Sequence, residues 1–318
     1  MPTLRTTPIQ EGKPVPEPDN IRGLMLMSAG FFAFAACDVQ AKVLAEHLHP
    51  AQVVWFRQFG LFVGVVILLA LKGPHILRSR LPFLQIARGL TAIGSAVFFV
   101  LAVRHVPLAD ATAVTFIAPF LVTLLGAIVL REPVGPRRWA AVAVGFVGML
   151  VVIRPGMGVF HPAILFIVVA ALFFSTRQVL SRSLAGLDSV PTTVAYTSIT
   201  ATLILSVTLP FVWQNLHSPT LWAVAVGLAV TAGLGEVLVI RALDIAQASV
   251  VAPMQYSLII WSTFYGFVVF GDLPDGWTFV GCAIIVASGL YTLHRERLNA
   301  RAKRQSAAAG SASHEPAQ

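Results

Sequence analysis

Long stretches without a charged residue constrain this chain more than any other feature of its sequence. Residues 111–130 and 139–153 carry no charge, and the short segment between them is charged and contains two prolines, which interrupt a helix. A backbone crosses lipid only when its polar groups are satisfied internally, so apolar stretches of this length predict transmembrane helices. The pattern returns at residues 245–270 and 277–293. The chain is therefore predicted to contain a transmembrane hairpin twice.

The composition supports a membrane protein over the whole length of the chain. It is 57% hydrophobic and 11% charged, whereas about a quarter of the residues in a soluble domain are charged. The net charge of +8 could indicate a nucleic-acid partner, but the Lys and Arg residues stand mostly at the ends of apolar segments. That distribution is typical of membrane topology, so the predicted partner is the lipid bilayer and not nucleic acid.

Ten apolar segments are predicted to cross the membrane as helices. They are residues 21–45, 52–71, 83–103, 111–130, 139–153, 155–184, 191–213, 219–241, 245–270 and 277–293. The predicted fold class is therefore an all-α integral membrane protein with ten transmembrane helices. The polar residues 1–20 and the basic residues 294–318 are predicted to be disordered tails, because neither can bury a core.

The distribution of cations predicts the orientation. If both termini are cytoplasmic, sixteen of the 22 Lys and Arg residues lie on the cytoplasmic side. Only Lys42, Arg104 and Arg154 then lie at the outer edges of the spans. This asymmetry follows the positive-inside rule, so we expect a multi-pass protein of a bacterial-type cytoplasmic, or inner, membrane with both termini inside.

The two halves of the chain match at one constant offset of 140 residues. The matched pairs are Asp38 with Gln178, Lys42 with Arg182, Phe56 with Tyr196, Thr123 with Thr263, Gly126 with Gly266, and Glu132 with Asp272. Each half, 21–154 and 155–293, has five predicted spans. Because five is odd, the second half must enter the membrane upside down. Two inverted five-helix repeats are typical of secondary transporters, whose binding sites lie near the midplane between the halves.

The hairpins carry motifs that resemble a known family. These motifs are Ala118-Pro119 through Arg131-Glu132 followed by Gly145 and Gly148, and Gly271-Asp272 followed by Gly281 and Gly289. With them, each half resembles an EamA domain of the drug/metabolite transporter superfamily. Phe56-Arg57 and Ala87-Arg88-Gly89 further resemble the branch that includes S-adenosylmethionine-type and riboflavin-type carriers. The second half departs from the pattern at Ile259, which stands where the first half has Pro119.

Charged residues inside apolar segments are the first candidates for a binding site. Asp38, Arg57, Arg88 and Glu236 lie well inside their spans, and Arg177 lies nearer the end of its span. A charge at the bilayer centre costs about 2.5–3.5 kcal/mol, so it normally faces a partner or a wet cavity. At a rise of about 1.5 Å per residue, Asp38 and Arg57 are predicted at a similar depth in the outer half of the membrane. Arg88 and Glu236 both lie in the inner half.

These charges allow two interpretations. In the first, they form an outer and an inner charged layer along one substrate path. In the second, they are structural ion pairs, and Asp38 pairs with Arg57 or with Lys42, which lies one turn away on the same helix.

Polar and aromatic residues offer a second group of candidates, because a pocket for an organic molecule combines apolar faces with a few placed polar groups. The substrate-binding candidates in this group are Gln178, Tyr196, Gln255 and Tyr256. Trp55, Trp213 and Trp261 also fit an interfacial belt or a lipid-facing position. Pro119 and Pro253 are predicted to kink or unwind their helices, as hinges or as structural features alone.

Other chemistry has no support in the sequence. There is no nucleotide-binding loop, dinucleotide fingerprint, serine-hydrolase motif or zinc spacing, so no catalytic residue, metal or cofactor is predicted. Cys37 and Cys282 lie in apolar segments and are interpreted as packing residues. The small-residue pairs Ala141/Gly145 and Ala283/Ala287 predict a packing seam between the fifth and tenth spans, within one chain or between two copies in a homodimer.

The sequence thus favours a secondary transporter that moves a small organic metabolite, anionic or zwitterionic, by alternating access. Two alternatives stay open. An intramembrane enzyme acting on a lipid would need a reactive cluster that the sequence does not show, and a membrane scaffold would use its buried charges for stability alone.

Overall fold

The computed structural model describes residues 19–131, 135–154, 161–184, 187–246, 248–291, 294 and 298. Throughout this described part the regular structure is helical, and no strand occurs. Three predictions lie outside the described residues: the disordered N-terminal tail up to residue 18, nearly all of the basic C-terminal tail, and the turn at Glu132.

The described residues form twelve α-helices. They are α1 (Asn20–Ala45), α2 (Pro50–Lys72), α3 (Pro82–Val103), α4 (Leu108–Thr115), α5 (Ala118–Val129), α6 (Pro136–Ile153), α7 (Ile164–Leu184), α8 (Val190–Val212), α9 (Pro219–Ile245), α10 (Ala248–Val251), α11 (Ser257–Tyr265) and α12 (Gly276–Tyr291). Several of them begin at a side-chain cap. Asp19 caps α1 by accepting a hydrogen bond from the Arg22 amide at 3.0 Å, and Ser189 and Ser218 cap α8 and α9.

Seven helical stretches, counting α4 and α5 as one, are long and apolar enough to cross a membrane. They are α1, α2, α3, α4–α5, α7, α8 and the part of α9 up to Leu243. Two further apolar helices, Trp139–Ile153 within α6 and Gly276–Tyr291, are shorter. Large apolar side chains such as Val207 and Phe211 are exposed, as lipid-facing residues are. An all-helical membrane protein is therefore confirmed, while the count of ten spans stays a prediction.

Two spans are interrupted at the predicted prolines. In the first half α4 ends at Thr115, and α5 begins at Ala118 with Pro119 in its first turn. In the second half a 3₁₀ turn, Ala252–Tyr256, contains Pro253 and separates α10 from α11. Proline has no amide hydrogen and breaks the hydrogen-bond ladder at both places. The second interrupted span then ends in a π-helical turn, Gly266–Phe270, which the sequence analysis did not predict.

The packing of the helices repeats itself when the two halves are exchanged. Under the 140-residue offset α1, α2, α3 and α5 correspond to α7, α8, α9 and α11. The contact of α1 with α9 has its counterpart in that of α3 with α7, and the contact of α2 with α9 in that of α3 with α8. The contact of α1 with α11 corresponds to that of α5 with α7, and α2 packs on its own counterpart, α8. The helix contacts are thus those of two halves related by an approximate two-fold exchange.

Glycines allow the closest of these approaches. A Cβ at Gly30 of α1 would meet the Gly235 carbonyl of α9 at 3.3 Å, and a Cβ at Gly235 would meet the Gly30 carbonyl at 3.2 Å. Because neither residue has a side chain, the backbones of α1 and α9 can nearly touch.

The predicted seam between the fifth and tenth spans exists within one chain, as α6 on α12. A Cβ at Gly148 would lie 3.0 Å from the Gly281 carbonyl, and Ser288 donates a hydrogen bond to the Ala141 carbonyl. Ala283 and Ala287, however, are exposed on α12, so they do not form that side of the seam within one chain, and a seam between two copies stays a prediction. The pattern of small residues indicated the contact but not which face of α12 makes it.

Candidate functional site

Asp38 and Arg57 form an ion pair between α1 and α2. Arg57 Nη1 donates to Asp38 Oδ1 at 3.2 Å, and the two side chains are 23% and 9% exposed. The alternative partner, Lys42, pairs instead with Asp272 at 3.2 Å. The predicted ion pair of Asp38 with Arg57 is therefore confirmed, and the alternative pair of Asp38 with Lys42 on the same helix is wrong.

Arg88 on α3 is held by hydroxyl groups. Its Nε donates to Ser181 Oγ of α7 at 2.7 Å, and its Nη1 donates to Thr197 Oγ1 of α8. Within the described part of the chain no ion pair links Arg88 to Glu236, so the alternative in which these two residues form a structural ion pair is wrong. Neutral hydroxyls orient the guanidinium without cancelling its charge.

Glu236 on α9 connects the outer and inner charges. Its carboxylate acts electrostatically on Arg57, Arg88 and Arg177. It directly follows Gly235, where the backbones of α9 and α1 come close, and this contact brings its helix against the helix that carries Asp38. Residues of both predicted layers thus lie within electrostatic range of Glu236, and together Asp38, Arg57, Arg88, Arg177 and Glu236 form the charged cluster; their division into an outer and an inner layer stays a prediction.

Arg177 on α7 is the member of the cluster that the sequence analysis considered but did not select. Its Nε is buried without a hydrogen-bond partner, and its guanidinium carbon lies 4.9 Å from the centre of the Phe174 ring. The signal was a cation in an apolar span, but its position near the span end suggested the interface. Among the described residues the cluster therefore holds three arginines, Arg57, Arg88 and Arg177, and two carboxylic acids, Asp38 and Glu236, which is a formal excess of one positive charge.

An uncharged pair borders the cluster. Thr231 Oγ1 of α9 donates to Gln40 Oε1 of α1 at 2.9 Å, and a Cβ at Gly227 would meet the Gln40 amide. Sequence reasoning missed this pair together with Ser181 and Thr197. Threonine and serine are common in membrane helices, where their hydroxyls often bond only to their own backbone, so they carried no distinctive signal.

The four uncharged candidates lie in different places. Tyr196 donates its hydroxyl hydrogen to the Leu77 carbonyl in the α2–α3 loop at 3.0 Å, and Gln178 and Gln255 are exposed. Tyr256, in the 3₁₀ turn, stacks on Phe116 with ring centres 5.2 Å apart. The structure therefore does not gather these residues around the charged cluster, and their role in binding stays a prediction.

The two helix breaks contact each other. Phe116 follows the end of α4, so its stacking on Tyr256 joins the first break to the second. Close by, Thr112 Oγ1 donates to Ser262 Oγ at 3.1 Å, a buried contact between α4 and α11. Because these segments correspond in the two halves, the interrupted spans meet face to face at the interface between the halves.

Ion pairs hold the turn that precedes α12. Lys42 binds Asp272 and lies 4.4 Å above the centre of the Phe270 ring, and Arg154 binds Asp275 at 2.5 Å. The hydrogen bond from the Thr278 amide, reinforced by Arg154, keeps the pKa of Asp275 below its ordinary value. The turn is thus fastened to the ends of α1 and α6.

The described residues contain no group of three or more His, Cys, Asp or Glu side chains that could hold a metal ion. Long apolar helices around a partly buried charged cluster define a polytopic membrane protein.

The chain belongs to the EamA-like transporter family, which matches it twice, over residues 21–154 and 161–293. The resemblance of both halves to EamA domains is confirmed. The family places the chain among multi-pass small-molecule transporters of bacterial membranes.

Curated relatives align over nearly the whole chain. An S-adenosylmethionine uptake transporter of Rickettsia prowazekii is 27% identical over 85% of this chain and 91% of its own length. A riboflavin transporter of Vibrio cholerae is 29% identical over 89% of this chain and 97% of its own. A pseudopaline exporter of Pseudomonas aeruginosa is 26% identical over 84% and 94%. The first two belong to the branch that Phe56-Arg57 and Ala87-Arg88-Gly89 resemble.

One solved crystal structure has a similar fold. It superposes with a TM-score of 0.58 at 21% sequence identity and covers 85% of this chain and 98% of that chain. The likeness extends over both halves.

Proposed function

We propose that this protein is a secondary transporter that moves a small organic anion or zwitterion across the cytoplasmic membrane by alternating access. The observation that carries the proposal is the partly buried cluster of Arg57, Arg88 and Arg177 with only two carboxylic acids. The rest of the proposal, from energy source to mechanism, follows from the sequence and from the packing of the two halves.

The excess positive charge selects the class of substrate. A charge within the bilayer costs about 2.5–3.5 kcal/mol, so it normally faces an opposite charge. For an arginine that has no carboxylate of the protein as its partner, we propose that the substrate supplies the negative charge. Arg57 is committed to Asp38 and Arg88 to two hydroxyls, whereas the Nε of Arg177 has no partner among the described residues. A guanidinium binds a carboxylate or phosphate through two parallel hydrogen bonds. A substrate carboxylate at Arg177 would satisfy this donor and neutralise the cluster.

The energy source is a gradient or an exchange of solutes. The sequence contains no nucleotide-binding loop that would hydrolyse ATP, so transport must draw on the concentration of the substrate, a counter-substrate or an ion. Glu236 and Asp38 are the carboxylates of the cluster, and they are the groups that we propose for binding a coupling cation.

Alternating access is supported by the exchange symmetry of the packing. If each half crosses the membrane five times, the two-fold exchange turns one half upside down relative to the other. The seam between α1 and α9 and its counterpart between α3 and α7 then open toward opposite sides. The cluster is carried by these four helices and by α2, and rocking of one half against the other would expose it to each side in turn. Pro119 and Pro253 are the proposed hinges.

The names of the relatives leave the substrate open, because they concern S-adenosylmethionine, riboflavin and pseudopaline. The class of substrate is therefore proposed from the charges of this chain.

A binding screen followed by transport tests the proposal. Purified protein is heated in the presence of carboxylates such as succinate, zwitterions such as methionine, and cations such as choline, because a ligand that binds the native state raises the unfolding midpoint. We expect shifts from carboxylates or zwitterions, and uptake of the same compounds, radiolabelled, into proteoliposomes. Binding of cations alone would contradict the proposed class, and lipid turnover without solute movement would support the enzyme alternative.

Variants connect the result to the cluster. Arg177→Gln should weaken binding of the hit by about 10- to 100-fold, the usual value of a hydrogen bond to a charged group. Arg177→Lys should restore only part of it, because an ammonium lacks the planar fork. Arg104→Gln, at an exposed position after α3, is the matched control and should bind normally.

A further inference from the structure

A cleft of about 540 Å³ lies between two loops at one end of the helices, and it shares no residue with the charged cluster. One wall is the end of α2 and the loop that follows it, including Lys72, Arg78 and Arg80, and the other is the α7–α8 loop with the first turn of α8. We infer that this cleft binds the phosphate headgroup of an anionic phospholipid.

The cleft is strongly cationic. The side chains of Lys72, Arg78 and Arg80 are all exposed along it, and Asp188 is the one carboxylate among the described residues that line it. Counting Lys and Arg against Asp, three positive charges stand against one negative charge. A phosphodiester supplies the missing negative charge, and its oxygens accept hydrogen bonds from both ammonium and guanidinium groups.

Asp188 is already engaged in hydrogen bonds and offsets only one of the three cations. Its carboxylate accepts hydrogen bonds from Ser79 Oγ at 2.5 Å, from the Arg80 amide at 3.0 Å and from Gln85 Nε2 at 2.8 Å. Desolvation alone would raise the pKa of Asp188, but these hydrogen bonds outweigh it and hold the pKa below its ordinary value. Asp188 is therefore ionised at neutral pH and serves to fasten the two loops together, which fixes the shape of the cleft.

The surroundings favour a lipid over a soluble phosphate. Leu71, Phe83 and Val190 are 79%, 87% and 58% exposed and lie within a few residues of the cationic wall or of Asp188. These apolar side chains would contact acyl chains, whereas a soluble ion would gain nothing from them. The cleft also lies where α2 ends and α8 begins, so it is at the depth of the headgroups, where basic residues attract anionic lipids.

Lipid-dependent stability tests the inference on the full-length chain. The protein is purified in a neutral detergent, and its unfolding midpoint is measured against added phosphatidylglycerol or phosphatidylcholine. Phosphatidylglycerol should raise the midpoint, and phosphatidylcholine should not. The double variant Lys72→Gln/Arg78→Gln should weaken phosphatidylglycerol binding by about 30-fold, since each cation near an anionic surface contributes about fivefold. Equal shifts from both lipids would overturn the inference.

A matched variant separates the cleft from general electrostatics. Arg22→Gln/Arg241→Gln removes the same charge from exposed positions on the side assigned to the cytoplasm but outside the cleft, and it should bind phosphatidylglycerol like the parent protein. An equal loss in both double variants would overturn the site. The same shift from inorganic phosphate would overturn the choice of a lipid. If the first variant folds poorly, the charge-preserving Lys72→Arg/Arg78→Lys replaces it, and loss of binding there would contradict an electrostatic site.

Discussion

Lys42 pairs with Asp272, which lies 230 residues further along the chain, and not with Asp38, which lies one turn earlier on the same helix. The pair joins α1 of the first half to the turn before α12 in the second half. Arg154 and Asp275 make a second link to the same turn. In the proposed orientation this turn faces outward, so the two pairs would keep the outer end of the transporter closed.

Breaking the first of these links should loosen the turn. Thr278 follows the turn and is only 2% exposed, so a cysteine placed there would react slowly with a soluble thiol reagent. The Lys42–Asp272 pair is partly exposed and contributes about 1 kcal/mol at most, so Lys42→Met should raise the modification rate of Thr278→Cys by up to about fivefold. Lys72→Met, at an exposed cation distant from the turn, is the control and should leave the rate unchanged. An unchanged rate in Lys42→Met would exclude the pair as a latch.

Gly289 on α12 should not tolerate a side chain. A Cβ there would overlap the Tyr256 hydroxyl, which lies at the second helix break. Overpacking costs about 1–3 kcal/mol, so Gly289→Ala should lower the unfolding midpoint and disturb the contact between the two breaks. Gly64→Ala is the matched control, because a Cβ at Gly64 meets no atom within 4 Å and alanine favours a helix. A normal midpoint in Gly289→Ala would show that Tyr256 moves away at no cost.

The sequence predicted the features that depend on a single helix or on the depth of a residue in the membrane. The uncharged stretches predicted helices, and Pro119 and Pro253 predicted the breaks because proline lacks an amide hydrogen. Asp38 and Arg57 were matched by depth, and neighbouring helices put them within 3.2 Å.

Features that depend on how a helix is rotated were not predictable in this way. Arg88 and Glu236 are predicted at a similar depth in the membrane, but the hydrogen-bond partners of Arg88 are hydroxyl groups on α7 and α8 and not Glu236. The same limit explains why the small-residue pattern did not show that Ala283 and Ala287 are exposed rather than packed on α6 within the chain. The pairing of Lys42 with Asp272 required knowing how the two halves dock, which no local pattern contains.

Cysteine labelling would test the topology. The inverted repeats put the turn at Gly135 inside and its counterpart near Gly276 outside. A side chain at either position meets no atom within 4 Å, so Gly135→Cys and Gly276→Cys are compatible with the fold. Both changes are made in a protein variant without Cys37 and Cys282, which is expressed in whole cells. A membrane-impermeant thiol reagent should label only Gly276→Cys, and both positions should react after lysis. Labelling of both before lysis would contradict the inverted repeat.

Single and double changes at Asp38 and Arg57 would show whether their pair is structural or functional. Arg57→Ala leaves the Asp38 carboxylate buried without its partner, which costs about 3–5 kcal/mol in an interior site. We expect low expression and no transport from this variant. The double variant Asp38→Asn/Arg57→Gln removes both charges and keeps hydrogen-bonding groups, so expression and the unfolding midpoint should recover.

Transport by the double variant then distinguishes the two roles. If the pair lines the substrate path, the double variant should transport at least tenfold more slowly than the parent even though it folds normally. The reason is that the cluster has lost both an arginine and a proposed cation-binding carboxylate. Arg57→Lys keeps the charge and changes the geometry, so its transport rate should lie between those of the double variant and the parent protein. Full transport by a well-folded double variant would show that Asp38 and Arg57 serve stability alone. The substrate site would then have to lie deeper, at Arg88, Arg177 and Glu236.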